Sequence, residues 1–355
     1  MGPSAVTPHP DAADRSSSHP STSDTAARHG VGPVAELRDR AMGTDVQIVV
    51  TGAPDATETH VTALAELGRQ RIAELESAWT RFDASSELRR LCAAAGRPMA
   101  VSAATRTLLR TMIAMWHRSG GLFDPTVGRA VAAAGYDDDF TLVAARAAAT
   151  RPSALGAEAT PGCSGIVVDD LAGTATVPVG VELDAGGVGK GLTADLVVAR
   201  LMAGGADGAL VNIGGDLRVA GRSNDGHDDW MIRIAEPTVE LDLDIAVEGA
   251  VATSTDRRRR WLTSSGVAHH LIDPADGRPV DSPVALVTTF APDAATAEVA
   301  TKVVYIGWPV LARSELSQRL DALGAAALVV TDDGGRHVIG DAPITARLRL
   351  QGSPT

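Results

Sequence analysis

The sequence predicts an α+β fold of mixed α/β content, built on antiparallel sheet. Three observations point there. Strand-like and helix-like stretches are interspersed without the strict alternation that a doubly wound parallel sheet requires. The 355 residues are 45% hydrophobic, enough to bury one large core or two ordinary ones. No internal repeat is visible that would impose a solenoid or a propeller.

The elements follow in order. The opening stretch MGPSAVTPHPDAADRSSSHPSTSDTAARHG is rich in Ser, Thr, Pro, Asp and His. It buries too little apolar surface to offset its ordering entropy, so residues 1–33 are expected to form a disordered tail and 34–352 the folded domain. His9, His19 and His29 then belong to a solvated segment, the alternative being a metal-binding tail. Residues 41–50 alternate and then run apolar, as a strand does. Residues 57–82 space Val61, Leu64, Ile72, Leu75, Trp79 and Phe82 along one helical face. A second helix over 103–118 turns Leu108, Leu109, Met112, Ile113 and Trp116 inward and stops at Ser119-Gly120-Gly121. Short strands follow at 166–168 and 175–177, then a helix over 192–202 and a strand over 209–213. Strands are expected at 230–235, 245–252 and 284–290, and helices at 294–305 and 308–323. A closing hairpin joins 326–331 to 337–339 through Asp332-Asp333-Gly334-Gly335.

Composition excludes some functions. The formal net charge of −12 opposes non-specific nucleic-acid binding, which needs a basic surface. No apolar run reaches 18 residues, so no membrane-spanning helix is expected. The N-terminus lacks a basic-then-apolar leader and a cysteine for lipid attachment, which makes the cytoplasm the expected compartment. Cys92 and Cys163 form neither a CxxC nor a zinc spacing and leave one disulfide open.

The stretch Gly186-Gly187-Val188-Gly189-Lys190-Gly191-Leu192 invites a phosphate-loop reading. A Walker A loop fails twice, because Gly191 stands where Ser or Thr should and Asp184 where the first Gly should. A dinucleotide GxGxxG fails at Leu192. What survives is physical: glycines let backbone approach a ligand, and amides opening the following helix face an anion. Simple turn chemistry remains the alternative.

Further clusters share the chain, among them "AMGT" at 41–44, "TRFDASSEL" at 80–88, "FDPTVG" at 123–128, "VNIGGDLRVAG" at 211–221, "VATSTDRRRRW" at 251–261, "HHLIDPADGRPV" at 269–280 and "APDAATAEVATK" at 291–302. In their order and number they resemble the ApbE family, the FAD:protein FMN transferases, over roughly residues 36–350. The resemblance implies a T-fold-related, two-lobed architecture with mixed or antiparallel sheets and flanking helices. It implies that FAD is the substrate, that Mg2+ is required, and that FMN passes to a Thr or Ser hydroxyl of an acceptor flavoprotein carrying a flavinylation motif, with AMP released. Two other readings stay open: hydrolysis of FAD to FMN and AMP, and a non-catalytic flavin-binding relative.

The resemblance also assigns residues. Met42 and Phe82 would line the FAD site, with a core aromatic as the alternative for Phe82. Phe123, Asp124 and Pro125 would contact the flavin or ribityl region, the alternative being an Asp-Pro turn. Gly186, Lys190 and Leu192 would lie near the nucleotide, and Asp216 would shape the floor or cap a turn. His270, followed by Leu271 and Ile272, would sit beside the nucleotide, as general base or as an orienting hydrogen-bond partner. His269 is expected to face outward, since strand side chains alternate. For the metal, the family places a backbone carbonyl at Gly189 and two oxygen ligands one helical turn apart. Those positions hold Glu298 and Lys302 here, with Thr301 between them as a ligand that a small rotation of the helix would bring into the second place. Glu298 can ligate magnesium and assist deprotonation. An ammonium has donors only, so Lys302 either pairs with Glu298 or lends its charge to phosphate. The four arginines 257–260 read as a solvated turn or as a surface for an acidic partner.

Overall fold

The computed structural model describes residues 32–145, 158–239, 241–263, 266–340 and 348–349. The expected tail lies outside the described residues up to 31, and so does the expected domain end at 352.

The chain opens with a hairpin, β1 (Val34–Ala41) and β2 (Thr44–Thr51). Its turn, Met42-Gly43, has both φ angles positive, at 53° and 69°, which matches the right-handed twist of the strands it joins. The strand expected over 41–50 is therefore two strands meeting at Met42. Helix α1 (Glu58–Trp79) starts where the Thr57 hydroxyl accepts the His60 N–H and buries Val61, Leu64, Ile72, Leu75 and Trp79. It ends at Trp79 and not at Phe82, which leaves Arg81 and Phe82 free to face a cleft. The elements α2 (Glu87–Ala93), β3 (Met99–Ala100), α3 (Ala103–Arg118), α4 (Gly128–Ala133), α5 (Phe140–Ala145), β4 (Val167–Asp169) and β5 (Thr174–Thr176) follow, and of these α4 and α5 reach the cleft through Val131 and Phe140. Next come α6 (Gly189–Ala203), β6 (Gly208–Ile213), β7 (Asp216–Gly221), β8 (Trp230–Glu236), β9 (Leu241–Val247) and β10 (Gly249–Ser254). The small strands β11 (Arg260–Thr263), β12 (Gly266–His269), β13 (Ile272–Asp273) and β14 (Arg278–Pro279) precede β15 (Val284–Ala291), α7 (Ala294–Gly307), α8 (Arg313–Leu323), β16 (Ala326–Thr331), β17 (Arg336–Ile339) and β18 (Leu348–Arg349).

Eight strands form the main sheet in the order β1-β2-β6-β7-β10-β15-β16-β17, every neighbour antiparallel. Its strands carry apolar residues on both faces, so both faces are covered. Val46, Ile48, Val50, Val211, Ala252 and Val329 face α1, α6 and α7. Val49, Leu210, Val251, Leu286 and Val330 face the three-stranded sheet β18-β9-β8. The strand expected over 245–252 crosses Gly249, φ +99°, where the chain leaves the small sheet for the main one. The helix expected from 308 begins at Arg313, and β7 was not expected as a strand.

Helices α6 and α7 cross very closely. A Cβ on Gly191 would lie 2.2 Å from the Ala294 carbonyl oxygen, so only glycine permits the crossing. The Asp195 carboxylate then reaches across to accept the Ala294 and Ala295 amides at 2.8 and 2.9 Å. That contact fixes the relative register of the two helices that carry Lys190 and Glu298.

Candidate active site

Two adjoining cavities share part of their lining. The larger, about 350 Å³, has an aromatic wall of Trp79, Phe82, Phe123, Tyr136 and Phe140. The chain has only five Trp, two Tyr and four Phe, so this concentration is a deliberate feature of the cleft. The Tyr136 ring centre lies 5.8 Å from that of Phe82 and 6.0 Å from that of Phe140. The Arg81 guanidinium sits 4.3 Å from the Phe82 ring centre and 4.6 Å from that of Tyr136, paired with Asp184 at 3.3 Å. Phe82 is 42% exposed at the rim and so is available to a ligand, not consumed by the core. The smaller cavity, about 170 Å³, is the more polar of the two and is lined in part by Asn212, Asp216, Thr253, Ser254 and Thr255.

Five residues line both cavities: Gly186, Lys190, Arg259, His270 and Lys302. The neck between the cavities is thus cationic. Lys190, in the first turn of α6, donates to both Asp216 and Glu298. Lys302, on α7, lies 3.5 Å from the same Glu298 oxygen. The other Glu298 oxygen accepts the Gly191 N–H at 2.8 Å. The anion at the mouth of α6, expected to be a ligand phosphate, is therefore this chain's own carboxylate. Burial opposes the charge on Lys190, but Asp216 and Glu298 outweigh it and hold the ammonium above the ordinary lysine range. Burial works to raise the Glu298 carboxyl as well; the two ammonium groups prevail and keep it below its ordinary value. Asp216 is pushed up to about 6, by burial and then by the Glu298 charge.

Among the four consecutive arginines, Arg257 pairs with Asp332, Arg258 with Glu236 and Arg260 with Asp256. Arg259 makes no ion pair among the described residues and points into the neck. His270 stands beside it with a buried Nδ1 that has no hydrogen-bond partner. Burial, then the positive charges of Arg259, Lys302 and Lys190, hold this imidazole neutral well below its usual range. His269 is not the outward neighbour expected. It is buried, its Nε2 meets the Val280 carbonyl at 3.0 Å, and its Nδ1 accepts the Leu271 N–H at 3.3 Å.

The other expected residues divide into two groups. Met42, Phe82, Phe123, Asp124, Gly186, Gly189, Lys190, His270, Leu271, Ile272 and Lys302 line the larger cavity together. Asp124 does so with its oxygens already engaged: Oδ1 accepts from the Thr126 amide and hydroxyl, and Oδ2 from Thr160. Leu192 is a core residue and lines neither cavity; Pro125 lines neither and accepts the Asp184 N–H. Sequence reasoning missed Tyr136, Phe140 and the distinct role of Arg259. Aromatic scarcity was the available signal for the first two.

The atoms that would hold magnesium already have partners within the protein. The Gly189 carbonyl accepts the Thr193 hydroxyl at 2.7 Å. The Thr301 hydroxyl bonds Ser254 and the Glu298 carbonyl, each at 2.7 Å, and faces neither cavity. Glu298 is surrounded by two ammonium groups and an amide. Magnesium wants an octahedron of oxygen donors. These residues offer it cations instead, and among the described residues no cluster of three His, Cys, Asp or Glu forms elsewhere. The set as built does not fit the ion. Cys92 and Cys163 are both free and buried, and burial pushes the Cys163 thiol up to about 12.

Comparison with known proteins identifies the family and the fold. The sequence model of the ApbE family matches residues 42–326. A Rhodobacter capsulatus protein named FAD:protein FMN transferase is 29% identical over 305 residues, covering 82% of this chain; the chain spans about half, 54%, of that relative's length. A Vibrio cholerae protein of the same name is 28% identical over 312 residues, covering 84% of this chain and 88% of the relative. The crystal structure of the ApbE protein from Thermotoga maritima superposes with a TM-score of 0.73 at 27% identity, covering 86% of this chain and 96% of that one. The flavin transferase ApbE from Vibrio cholerae, at 23% identity and a TM-score of 0.66, shares the fold. With a family match over most of its length and the same architecture in solved relatives, this chain belongs to the ApbE family.

Proposed function

We propose that this chain is an FAD:protein FMN transferase, moving FMN from FAD to a Ser or Thr hydroxyl of an acceptor flavoprotein with release of AMP. The observation that carries the reading is the cationic neck, with its unpartnered imidazole, between an aromatic cleft and a polar cavity. The aromatic wall suits an isoalloxazine ring, and the neck suits the diphosphate. The acceptor oxygen attacks the FMN phosphorus. An O–P bond forms, the P–O bond to the AMP phosphate breaks, and AMP departs with the bonding pair. The proton of the hydroxyl passes to His270, whose Nδ1 is free to accept it, and then to solvent. Bound diphosphate raises the basicity of that imidazole by offsetting the cations around it. Phosphoryl transfer asks the protein chiefly for positioning and charge neutralisation, which Lys190, Lys302, Arg259 and the Gly186 loop can supply. The carboxylate that the resemblance assigns to magnesium faces two ammonium groups, so charge neutralisation falls to the cations of the neck.

The test is incubation with FAD and a candidate acceptor bearing a Ser/Thr flavinylation motif. Equal yields of AMP and FMN-modified acceptor support the reading. AMP and free FMN without modification would replace it with FAD hydrolysis, and intact FAD would reject both.

A further inference from the structure

We propose that the Lys302 ammonium, backed by Lys190 and Arg259, takes the place of a divalent cation at the flavin diphosphate, so that this chain binds FAD without metal. The inference rests on the proposed function, because it takes the diphosphate of FAD as the ligand of the neck.

The argument is one of charge and space. The neck holds three cationic side chains, Lys190, Arg259 and Lys302, against two buried carboxylates, Asp216 and Glu298. It therefore carries net positive charge before any ion is added. A dication placed against Glu298 would lie within a few ångströms of two ammonium groups in a desolvated site, where like charges repel strongly. Lys302 is also held firmly. It is 9% exposed, it rises from a helix buried along its whole length, and Glu298 one turn earlier anchors its Nζ. Its stem passes the loop, with Cε 3.8 Å from where a Cβ on Gly187 would be. An ammonium so placed is a fixed donor for a phosphate oxygen, and Arg259 beside it offers a planar fork suited to the same group. Lys190 has a different part. It neutralises the two carboxylates that would otherwise repel the diphosphate.

The experiment measures FAD affinity by equilibrium dialysis for the full chain and for Lys302→Met, Lys302→Arg and Lys302→Thr. Each is stripped with EDTA and tested with and without added magnesium. Thermal melts check that the variants fold; Lys302→Arg keeps the charge should the others not fold. The wild type is expected to bind FAD equally well, within about twofold, in EDTA and in magnesium. Lys302→Met should lose about tenfold in EDTA, the loss of one charge-assisted contact. Lys302→Arg should retain most of the affinity, and Lys302→Thr should regain affinity only when magnesium is added. Wild-type binding that strengthens tenfold with magnesium, or Lys302→Met binding at wild-type strength, overturns the inference. Absence of FAD binding under every condition overturns it together with the proposed function. The two are otherwise separable. Metal-independent, Lys302-dependent binding without AMP release leaves the lysine's role standing and removes the transfer reading. Transfer that occurs only with magnesium does the reverse.

Discussion

Replacing Lys190 by Met tests whether its ammonium is the counter-ion of two buried carboxylates. The side chains of Lys190, Asp216 and Glu298 are 14%, 3% and 0% exposed, so the cluster is close to fully desolvated. Removing one partner of a buried pair costs about 3–5 kcal/mol. Here Lys302 remains 3.5 Å from Glu298 and the Gly191 amide still donates to it, which places the expected loss near the lower end, about 3 kcal/mol at pH 8. The loss should depend on pH. Without the ammonium, burial and mutual repulsion raise both carboxyls above their unfolded values of about 4. The folded variant then binds more protons than the unfolded chain, so its stability falls as pH rises through the folded values. The deficit relative to wild type should therefore be largest above pH 7 and shrink towards pH 5. Urea unfolding followed by circular dichroism at the two pH values measures it. A deficit under about 1 kcal/mol at pH 8, or one that is the same at both pH values, would refute the assignment.

Three further outcomes follow from the same geometry. Phe82→Ala removes a half-exposed side chain at the rim, so stability should change by no more than about 0.5 kcal/mol while FAD affinity falls about fivefold, as read by equilibrium dialysis. Gly191→Ala sets a methyl 2.2 Å from the Ala294 carbonyl oxygen and should cost about 2–3 kcal/mol in urea unfolding; a neutral result would mean that α6 and α7 are not so close. Because His270 is held neutral well below the usual imidazole range, the acid limb of kcat/KM for AMP release should lie below pH 6.5. A limb centred at pH 7 or above would remove His270 from the proposed role.

The long periodic elements were legible in the sequence. Helix α3 has the extent its apolar spacing predicts, and β15 and α7 lie within a residue or two of it. Failures came where local backbone overrode pattern. Met42 adopts positive φ without being glycine, so the turn between β1 and β2 was hidden in a stretch that alternates like a single strand. Strands β9 and β10 read as one because only Gly249 marks the change of sheet. Helices α2, α4 and α5 have seven, six and six residues, too few to display a 3.6-residue period. The site divides the same way. His270 was placed through the family resemblance, the glycine loop through its local pattern, and the pairing of Glu298 with Lys302 through helical spacing. The bonds from Lys190 and Gly191 to Glu298 span more than a hundred residues, and no local pattern encodes them. Arg259 was indistinguishable from its three neighbours until their partners were visible.

A crystal structure of this chain with FAD, grown in EDTA, tests the central claim most directly. The account predicts the isoalloxazine against Phe82 and Tyr136, and the diphosphate within hydrogen-bonding distance of the Lys302 and Arg259 side chains. A diphosphate lying outside the neck, or the same soak yielding bound FAD only when magnesium is present and seated on Glu298 with Lys302 displaced, would contradict it.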